Sequence, residues 1–340
     1  MESNMVEIRV KGETFKVQSA CIDGRTVVIT GKWIKMAAVM DEELVEGDTI
    51  RDPESFIPAL KQTGLKADIF TFAQKLPDIK PHYDYRLEWD NAAVVPITNF
   101  KEWWEKRAEY DVRKAVKKAA KLGVTVKTAE FNDAFVRGIV DIYNESPTRQ
   151  GKPFWHYRKD FDTIKDESGT YLERSEFIGA YYQDELIGFI KMVYVGKIAA
   201  TLHVISKKKH FDKKTTNALL AKAIEICEQK GASHLVYGNY DYDEASSFLT
   251  EFKRRNGFGK VLLPRYYVPL TAKGRLVLRL GLHHGAKALL PAKARRFLSG
   301  MRSAILWRVS HPWHIKGQVG DDRPAGGKGS VMPVRDSRLS

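Results

Sequence analysis

The stretch that decides the fold is FIGAYYQDELIGFIKMVYVGKIAATLHVIS, residues 177–206. Two apolar runs, 177–182 and 186–195, are separated by the polar tripeptide Gln-Asp-Glu at 183–185, which predicts a β-hairpin. A further apolar run at 198–206 predicts a third strand. Three consecutive strands are therefore expected at the centre of this region.

Toward the C-terminus the pattern changes to helices and strands in alternation. A basic turn, KKKHFDKK (207–214), leads to a helix expected from Lys213 to Lys230, with Asp212 as its N-cap and Gly231 after its end. The elements expected next are a strand at 234–238, a helix from Asp243 or Glu244 to Arg255, and a strand pair at 261–270. The order β-β-β-α-β-α-β indicates a mixed α+β fold.

Upstream of the hairpin the sequence predicts a second set of elements. Helices are expected at 100–122 and 132–144, with a strand at 125–127 between them. The segment 145–160 is a loop rich in aromatic and cationic side chains, and loops of this length are often functional. Further upstream we expect strands within 5–30, a short helix at 32–40, a helix from Asp52 to Gly64, and a buried strand at 67–72.

The charge distribution is strongly asymmetric. After Glu251 no acidic residue occurs before Asp321, and this interval holds fifteen Lys and Arg, against a net charge of +14 for the whole chain. Charge concentrated in this way predicts an anionic partner: a phosphorylated cofactor, a nucleic acid or an anionic membrane surface. Residues 273–316 read as basic helical segments, which either lie on a membrane or pack on the preceding domain.

Composition restricts the cellular setting. The chain has two cysteines, Cys21 and Cys227, in no C-x-x-C arrangement, so a secreted disulfide scaffold is not indicated. The charged N-terminus lacks the apolar region of a secretory signal, and no run approaches the ~20 apolar residues of a spanning helix. We expect a cytoplasmic protein, with peripheral contact at the inner membrane face if the basic segment binds lipid.

The region 177–270 resembles the GNAT acyltransferase fold, because its strands, basic turn and helices come in the GNAT order. Two local patterns resemble the Fem-type (FemAB-like) branch, whose members carry two GNAT-like domains: VRKAVKKAAKLGV (112–124) and FKRRNGF (252–258), the latter followed by LPRYYVP (263–269). The expected segments are a reduced GNAT-like or small α+β domain at 1–90, a GNAT-like acyltransferase domain at 91–272, the basic helical segment at 273–316, and a disordered tail at 317–340.

The resemblance implies transfer of an acyl or aminoacyl group to an amine or hydroxyl, with cell-wall precursors or surface-polysaccharide sugars as typical acceptors. The donor is an acyl-CoA in ordinary GNAT enzymes and an aminoacyl-tRNA in the cell-wall branch; no metal is expected. The turn at 207–214 has no glycine, whereas ordinary GNAT enzymes bind the CoA pyrophosphate on a glycine-rich turn there. The turn therefore does not favour binding of CoA in the ordinary GNAT manner.

Candidate donor-binding residues are the cations near the helix after the third strand and the residues around the Phe-Lys pair. Lysines beside a helix N-terminus suit a polyphosphate or an RNA backbone, although they could equally form a solvated turn. By the resemblance, Lys253 faces the donor phosphate. The full set is Lys207, Lys208, Lys209, Lys213, Lys253, Arg265 and Tyr266.

Candidate acceptor-binding residues lie in the aromatic and basic loop, where rings and cations suit a sugar face or a base. They are Arg149, Lys152, Trp155, His156 and Tyr157. Asp241 and Tyr242 are the candidate catalytic pair, because they follow the strand at which the GNAT cleft opens; helix capping by Asp243 is an equal alternative for this acidic stretch. No Ser-His-Asp order or G-x-S-x-G motif occurs, and covalent catalysis is not predicted.

Three functions remain open from the sequence. The first is acyl transfer to a cell-envelope glycan or its lipid-linked precursor. The second, on the same fold, is aminoacyl-tRNA-dependent transfer to the peptidoglycan bridge. The third is a non-catalytic module that binds RNA or an anionic membrane. The isolated strand histidine His203 is expected to be structural, and His311 and His314 lack a third metal ligand nearby.

Overall fold

The computed structural model describes residues 4–10, 13–42, 50–149, 152–241 and 248–284. The strands are β1 (Asn4–Val10), β2 (Glu13–Ile22), β3 (Arg25–Thr30), β4 (Met36–Val39), β5 (Ile69–Ala73), β6 (Arg86–Pro96), β7 (Thr125–Ala129), β8 (Thr148–Arg149), β9 (Lys152–Pro153), β10 (Ser175–Tyr182), β11 (Glu185–Val195), β12 (Ile198–Ser206), β13 (His234–Val236) and β14 (Gly259–Pro269). The helices are α1 (Pro53–Gln62), α2 (Phe100–Glu102), α3 (Tyr110–Lys121), α4 (Asp133–Asn144), α5 (Phe161–Ser168), α6 (Thr215–Gln229), α7 (Phe248–Arg255) and α8 (Ala272–Arg279). A π-helical turn forms at Trp103–Arg107, and 3-10 turns form at Leu172–Arg174, Lys208–Lys213 and Leu282–His284.

Within the described residues, twelve strands form one sheet in the order β1-β2-β3-β4-β5-β14-β6-β13-β12-β11-β10-β7, and β8 pairs with β9 separately. The late strand β14 lies between β5 and β6 and is antiparallel to both. The N-terminal strands and the strands of the 91–272 region thus share one continuous sheet.

The hairpin that the sequence predicts at 177–195 is present. β10 and β11 pair antiparallel, with Tyr182 opposite Glu185, and Gln183 and Asp184 both have positive φ angles. Two consecutive residues with positive φ are typical of a type I′ turn, whose twist matches that of the strands. β12 follows as the third antiparallel strand.

The sheet is covered on both faces, and the alternation of side chains assigns each residue to one of them. Ala93 and Val95 of β6 pack on one side in a core that includes residues of α3, α6 and the end of α7; this side is called the α6 face. Ala92 and Val94 point to the other side together with Leu263 of β14. Further along β14 this second side is covered by Val277 and Leu278 of α8, and it is called the α8 face.

Four of the sequence-based element assignments are wrong. The strand pair expected at 261–270 is the single strand β14, and the helix expected at 100–122 is interrupted by extended backbone at Ala108 and Glu109. The segment expected as a short helix at 32–40 contains strand β4, because fully buried Ala37 and its neighbours pair with β3 and β5. The helix after β12 begins at Thr215 rather than Lys213, since the chain first makes a 3-10 turn and Lys214 takes a left-handed conformation. Asp212 is therefore not an N-cap.

Parts of the sequence-based description fall outside the described residues. These are Tyr242, the start of the helix expected at Asp243 or Glu244, the basic segment beyond His284, and the tail at 317–340. The first part of the basic segment is helical, in α8 and the turn at Leu282–His284.

Replacing Gly257 by alanine should lower the free energy of unfolding more than the same change at Gly231. Both glycines follow a helix and have positive φ, so each Ala incurs the left-handed penalty of about 1–2 kcal/mol. A Cβ at Gly257 would stand 2.8 Å from Cβ of Arg107, whereas a Cβ at Gly231 meets nothing within 4 Å. We therefore expect about 1–3 kcal/mol of additional cost for Gly257→Ala, measured by urea unfolding. Equal costs for both variants would contradict this packing.

Candidate active site

The sheet opens at the boundary between β12 and β13. These strands pair in parallel over three residues only, Ile198–Ala200 with His234–Val236. β13 also pairs antiparallel with β6. Beyond Val236 only the pairing with β6 continues: Tyr237 N–H donates to the Ala93 carbonyl and Ala93 N–H donates to the Gly238 carbonyl, both at 2.8 Å. β12 continues along β11 to Ser206. A gap therefore opens between the second half of β12 and residues 237–241.

A β-bulge lies at the mouth of this gap. On β12 the register shifts so that Thr201 pairs with Met192 while His203 pairs with Lys191, which leaves Leu202 as the extra residue. The hydroxyl of Thr201 is buried without a hydrogen-bond partner among the described residues. Bulges and unpaired buried polar groups are both frequent beside functional sites, because they redirect side chains and leave polar atoms for a ligand.

Lys253 of α7 reaches the other side of the gap. Its side chain is fully buried, its Nζ donates to the Asn239 carbonyl oxygen at 2.5 Å, and it lies 4.6 Å from the ring centroid of Tyr237. Burial lowers the pKa of Lys253 to about 8, although the carboxylate of Asp241 acts in the opposite direction. The Asp241 carboxylate accepts a hydrogen bond from Lys260 at 2.7 Å, and its backbone N–H donates to the Asn91 side chain.

A cavity of about 430 Å³ lies on the α6 face, between α3, the start of α6 and α7; it is called the α6-face cavity. Four cations, two amides and a single carboxylate contribute to its lining. The lining residues are Asp111, Val112, Lys114, Ala115, Lys118, Lys214, Asn217, Phe252, Arg255 and Asn256. The excess of positive charge makes it suited to an anionic ligand.

A larger cavity, about 690 Å³, lies on the α8 face and is called the α8-face cavity. Its floor holds an ionic cluster in which Arg265 donates to half-exposed Asp90 at 2.7 Å and to buried Glu42 at 3.1 Å. Burial raises the pKa of Glu42 despite the nearby cations Arg265 and Lys75. The lining residues are Ile8, Val28, Thr30, Met36, Ala38, Val39, Met40, Asp41, Glu42, Thr71, Trp89, Asp90, Asn91, Asn239, Arg265 and Tyr267.

The Phe-Lys pair contacts the linings of both cavities. Phe252 lines the α6-face cavity, and the adjacent Lys253 donates to the carbonyl of Asn239, which lines the α8-face cavity. The buried amino group thus lies between a basic cavity on one face of the sheet and a polar cavity on the other, beside the gap in the sheet.

The predicted donor lysines of the 207–214 turn lie away from both cavities. Lys207 and Lys209 each form an ion pair with Glu185, at 2.6 and 2.7 Å. Burial raises the pKa of Glu185, but hydrogen bonds from Lys207, Lys209 and His210 outweigh this effect and hold that pKa at about 2.

The other two lysines of the set also have protein partners. Nζ of Lys208 donates to Ser146 Oγ at 2.8 Å, and Nζ of Lys213 lies 4.0 Å from the ring centroid of Tyr182. Their neighbour Lys214, which was not among the predicted site residues, is the lysine of this turn that lines the α6-face cavity.

The predicted pair Arg265 and Tyr266 is divided by the alternation of β14. Arg265 lines the α8-face cavity. The ring of Tyr266 points to the opposite face, where it packs 5.1 Å from Phe72 and its hydroxyl donates to Gln74 at 2.9 Å. Only the first of these two side chains is available to a ligand in that cavity.

The aromatic loop at 145–160 packs against the end of β12. Arg149 donates to the Ser206 carbonyl at 2.8 Å, and the ring of His156 lies between Trp155, at 3.5 Å, and Tyr143, at 4.2 Å. Burial lowers the pKa of His156 to about 2. The backbone of Lys152 pairs with that of Arg149, whereas the side chain of Lys152 lies outside the described part of the loop.

Tyr157 lies in this loop, and His203 lies beside it. Tyr157 is in contact with the guanidinium of Arg158, 5.5 Å from its ring centroid. Beside the loop, the Tyr143 hydroxyl is 3.3 Å from Nδ1 of His203, and burial lowers the pKa of His203 to about 4. Of the predicted catalytic pair, Asp241 lies at the gap and Tyr242 is outside the described residues.

Several cavity residues had no individual signal in the sequence. Lys114 and Lys118 were part of the cationic helix pattern at 112–124, and their i, i+4 spacing places both on one side of α3. Glu42, Asp90 and Asn239 come together only through the pairing of distant strands.

The chain is similar to known proteins in its fold but not in its sequence. No protein-family model matches the chain, and no curated protein matches it. Among solved structures, FemX superposes with a TM-score of 0.53 over 82% of this chain and 90% of its own, at 11% identity. The chain has the fold of FemX.

Two further structures share that fold. The L-PGS structure from Bacillus licheniformis gives a TM-score of 0.51, with 17% identity and coverage of 78% and 88% of the two chains. The C-terminal DUF2156 domain of a protein described as a lysylphosphatidylglycerol synthetase, from Agrobacterium fabrum, gives 0.51, with 15% identity and coverage of 77% and 87%. The expected Fem-type fold with its mixed α and β architecture is confirmed. Within the described ranges, no helix has the length and apolar composition that crossing a bilayer requires.

The burial of Lys253 predicts a pH dependence of stability. Its pKa is about 8 in the folded protein against an ordinary 10.5, and the same holds for buried Lys191, which donates to the Ser168 carbonyl at 2.8 Å. Between pH 8 and 10.5 the unfolded chain binds protons that these lysines have already released, so the free energy of unfolding should rise with pH. Lys253→Met and Lys191→Met should each reduce that rise, measured by urea unfolding at several pH values. A Lys253→Met variant with the wild-type pH dependence would contradict the burial of this amino group.

Proposed function

We propose that the protein transfers an acyl or aminoacyl group from a polyanionic donor in the α6-face cavity to an amine or hydroxyl acceptor in the α8-face cavity. The group would pass through the gap beside β12 and β13. The observation that carries this proposal is the buried amino group of Lys253, which lies between the two cavities within hydrogen-bonding distance of Asn239. The Fem-type fold supports it, although fold alone does not fix function.

The chemistry requires no protein nucleophile. The acceptor nitrogen or oxygen attacks the donor carbonyl carbon, the bond from that carbon to the donor oxygen or sulfur breaks, and the acceptor proton passes to the leaving group. Lys253, protonated in most molecules at neutral pH, would stabilise the negative charge that develops during this step. A charge held away from water acts more strongly than an exposed one, because its surroundings have a low dielectric constant.

The basic surface favours an aminoacyl-tRNA as the donor. A third cavity, smaller than the other two, lies along α3. Besides Lys114 and Lys118 it is lined by Arg113, Lys117 and Lys121. A row of cations this long suits an RNA backbone, which presents one phosphate per nucleotide. An acyl-CoA is the alternative donor. The turn at 207–214 gives it little support, because that turn lacks glycine and Lys207, Lys208 and Lys209 already have protein partners.

The α8-face cavity favours a sugar-containing acceptor, such as a cell-envelope glycan or its precursor. Trp89 is 48% exposed and stands beside Asp90 and Asn91, and aromatic rings with carboxylates and amides suit sugar faces and hydroxyls. An anionic lipid, which the name lysylphosphatidylglycerol synthetase suggests for one protein of similar fold, fits less well. The carboxylates of Asp41 and Asp90 would repel its phosphate.

Loss of the two cavity lysines should weaken binding of the donor. For the double variant Lys114→Ala and Lys118→Ala we expect lower affinity for charged tRNA. We also expect a salt dependence reduced by about 0.7–0.9 in slope for each lost phosphate contact. Filter binding across a salt series measures both quantities. The control is Lys222→Ala on α6, where the lysine is paired with Glu225 and does not line the cavity. If the salt dependence of tRNA affinity is unchanged in the double variant, the α6-face cavity is not part of the donor site.

Removal of the amino group of Lys253 should stop transfer without stopping binding. The assay supplies labelled aminoacyl-tRNA or acyl-CoA with cell-envelope glycans, lipid-linked precursors or phosphatidylglycerol, and follows the label into the acceptor. For Lys253→Met we expect a loss of about 10²–10³-fold in rate with donor affinity preserved, and wild-type rates for Lys222→Ala.

The same assay separates the remaining functions. Transfer from acyl-CoA and not from aminoacyl-tRNA would show that the donor is an acyl-CoA, and the proposed group-transfer reaction would stand. A wild-type protein that binds RNA tightly but transfers nothing from any donor would favour the non-catalytic binding module. Wild-type transfer by Lys253→Met would contradict the role proposed for this residue.

A further inference from the structure

Glu88, His283 and His284 form a compact cluster outside the proposed path of transfer. Nε2 of His283 lies 2.6 Å from one carboxylate oxygen of Glu88, and Nε2 of His284 lies 2.6 Å from the other. One ligand atom from each of the three residues lies within 4.8 Å of the others. We propose that these three residues bind a divalent transition-metal ion of the zinc class.

The ligand set and its geometry suit such an ion. Two imidazoles and one carboxylate are a ligand set found on zinc, which takes nitrogen and oxygen at about 2.0–2.2 Å. Tetrahedral coordination at these lengths separates the ligand atoms by about 3.3 Å. The 2.6 Å between each imidazole nitrogen and the carboxylate would therefore have to lengthen as the ion enters. Three protein ligands leave a fourth position for water.

The surroundings restrict His283 and Glu88. His283 is buried, its ring centroid lies 4.7 Å from that of Tyr267, and the two imidazole centroids are 4.1 Å apart. Glu88 is held on β6, opposite Arg265 of β14. Rigid neighbours reduce the ordering cost of binding, because the side chains are already placed.

The neighbouring cation Arg86 opposes the ion only in part. The guanidinium of Arg86 lies 3.6 Å from Glu88, but it also donates to the carbonyl of Leu278 on α8. It therefore remains anchored on the helix when the carboxylate turns toward a metal. Repulsion from Arg86 should lower the affinity for a dication without blocking the site.

A metal ion bound by this cluster would connect two separate elements of the fold. His283 and His284 lie in the turn after α8, whereas Glu88 lies on β6, so a bound ion would connect that turn to the sheet. Tyr267, which packs against both histidines, also lines the α8-face cavity. Metal binding would thus stabilise one wall of this cavity as well as the docking of α8. This inference does not depend on the proposed transfer reaction.

The test uses the full-length chain stripped of metal with a chelator. Titration with zinc chloride by calorimetry should give one tight site per chain, and zinc should raise the thermal unfolding temperature. Cobalt(II) bound in place of zinc should give the visible absorption of a low-coordinate site. Glu88→Gln and His284→Ala should each weaken zinc binding by about tenfold or more. His284 is half exposed, so His284→Ala should fold normally even if Glu88→Gln does not.

Controls separate this site from adventitious binding. His82→Ala removes an exposed histidine that is not in the cluster and should leave the titration unchanged. The double variant His311→Ala and His314→Ala tests the remaining His pair of the chain and should also bind like the wild type. The proposal is overturned if the wild-type protein binds no zinc. It is equally overturned if Glu88→Gln and His284→Ala both fold and bind zinc like the wild type.

Discussion

The separation of residues 237–241 from β12 determines the geometry of the rest of the site. After three residues paired with both β12 and β6, the chain leaves β12 and keeps its hydrogen bonds to β6, at Ala93 and Asn91. β12 keeps its pairing with β11, so the two strands separate and the sheet opens. Only this opening allows Lys253, which comes from the α6 face, to contact a residue that lines a cavity on the opposite face. Without it, a continuous sheet would separate the two cavities.

Burying an amino group and a carboxyl group in this region opposes folding. Burial lowers the pKa of Lys253 and raises that of Glu42, and each shift reflects charge removed from water. Both groups retain partners: the Asn239 carbonyl for the first and Arg265 for the second. Polar groups held so closely beside cavities are the pattern expected where a protein sacrifices stability for a preorganised site.

The sequence predicted what local chemistry decides. Gln183 and Asp184 identified the turn of the central hairpin. The FKRRNGF motif singled out Lys253 by resemblance, as a residue that faces the donor phosphate, and that role stays a prediction. Contacts between distant segments were not predictable, because strand pairing brings them together: Arg265 with Glu42 across 223 positions, and Glu88 with His283 across 195. The lysines at 207–209 looked available for a donor, but Glu145 and Glu185 approach that turn only in the folded chain.

Blocking the gap chemically tests the central claim most directly. Asn239 is exposed, so a cysteine introduced there can react with a maleimide. Cys21→Ser removes the exposed native thiol, and Cys227 is buried, so in the double variant the reaction should take place at position 239. The measurement is the rate of group transfer before and after complete alkylation with a bulky maleimide, with Cys21→Ser alone as the control. The account predicts that the adduct at position 239 abolishes transfer while donor binding in the α6-face cavity persists. Undiminished transfer by the fully alkylated protein would contradict a path between the cavities beside Asn239.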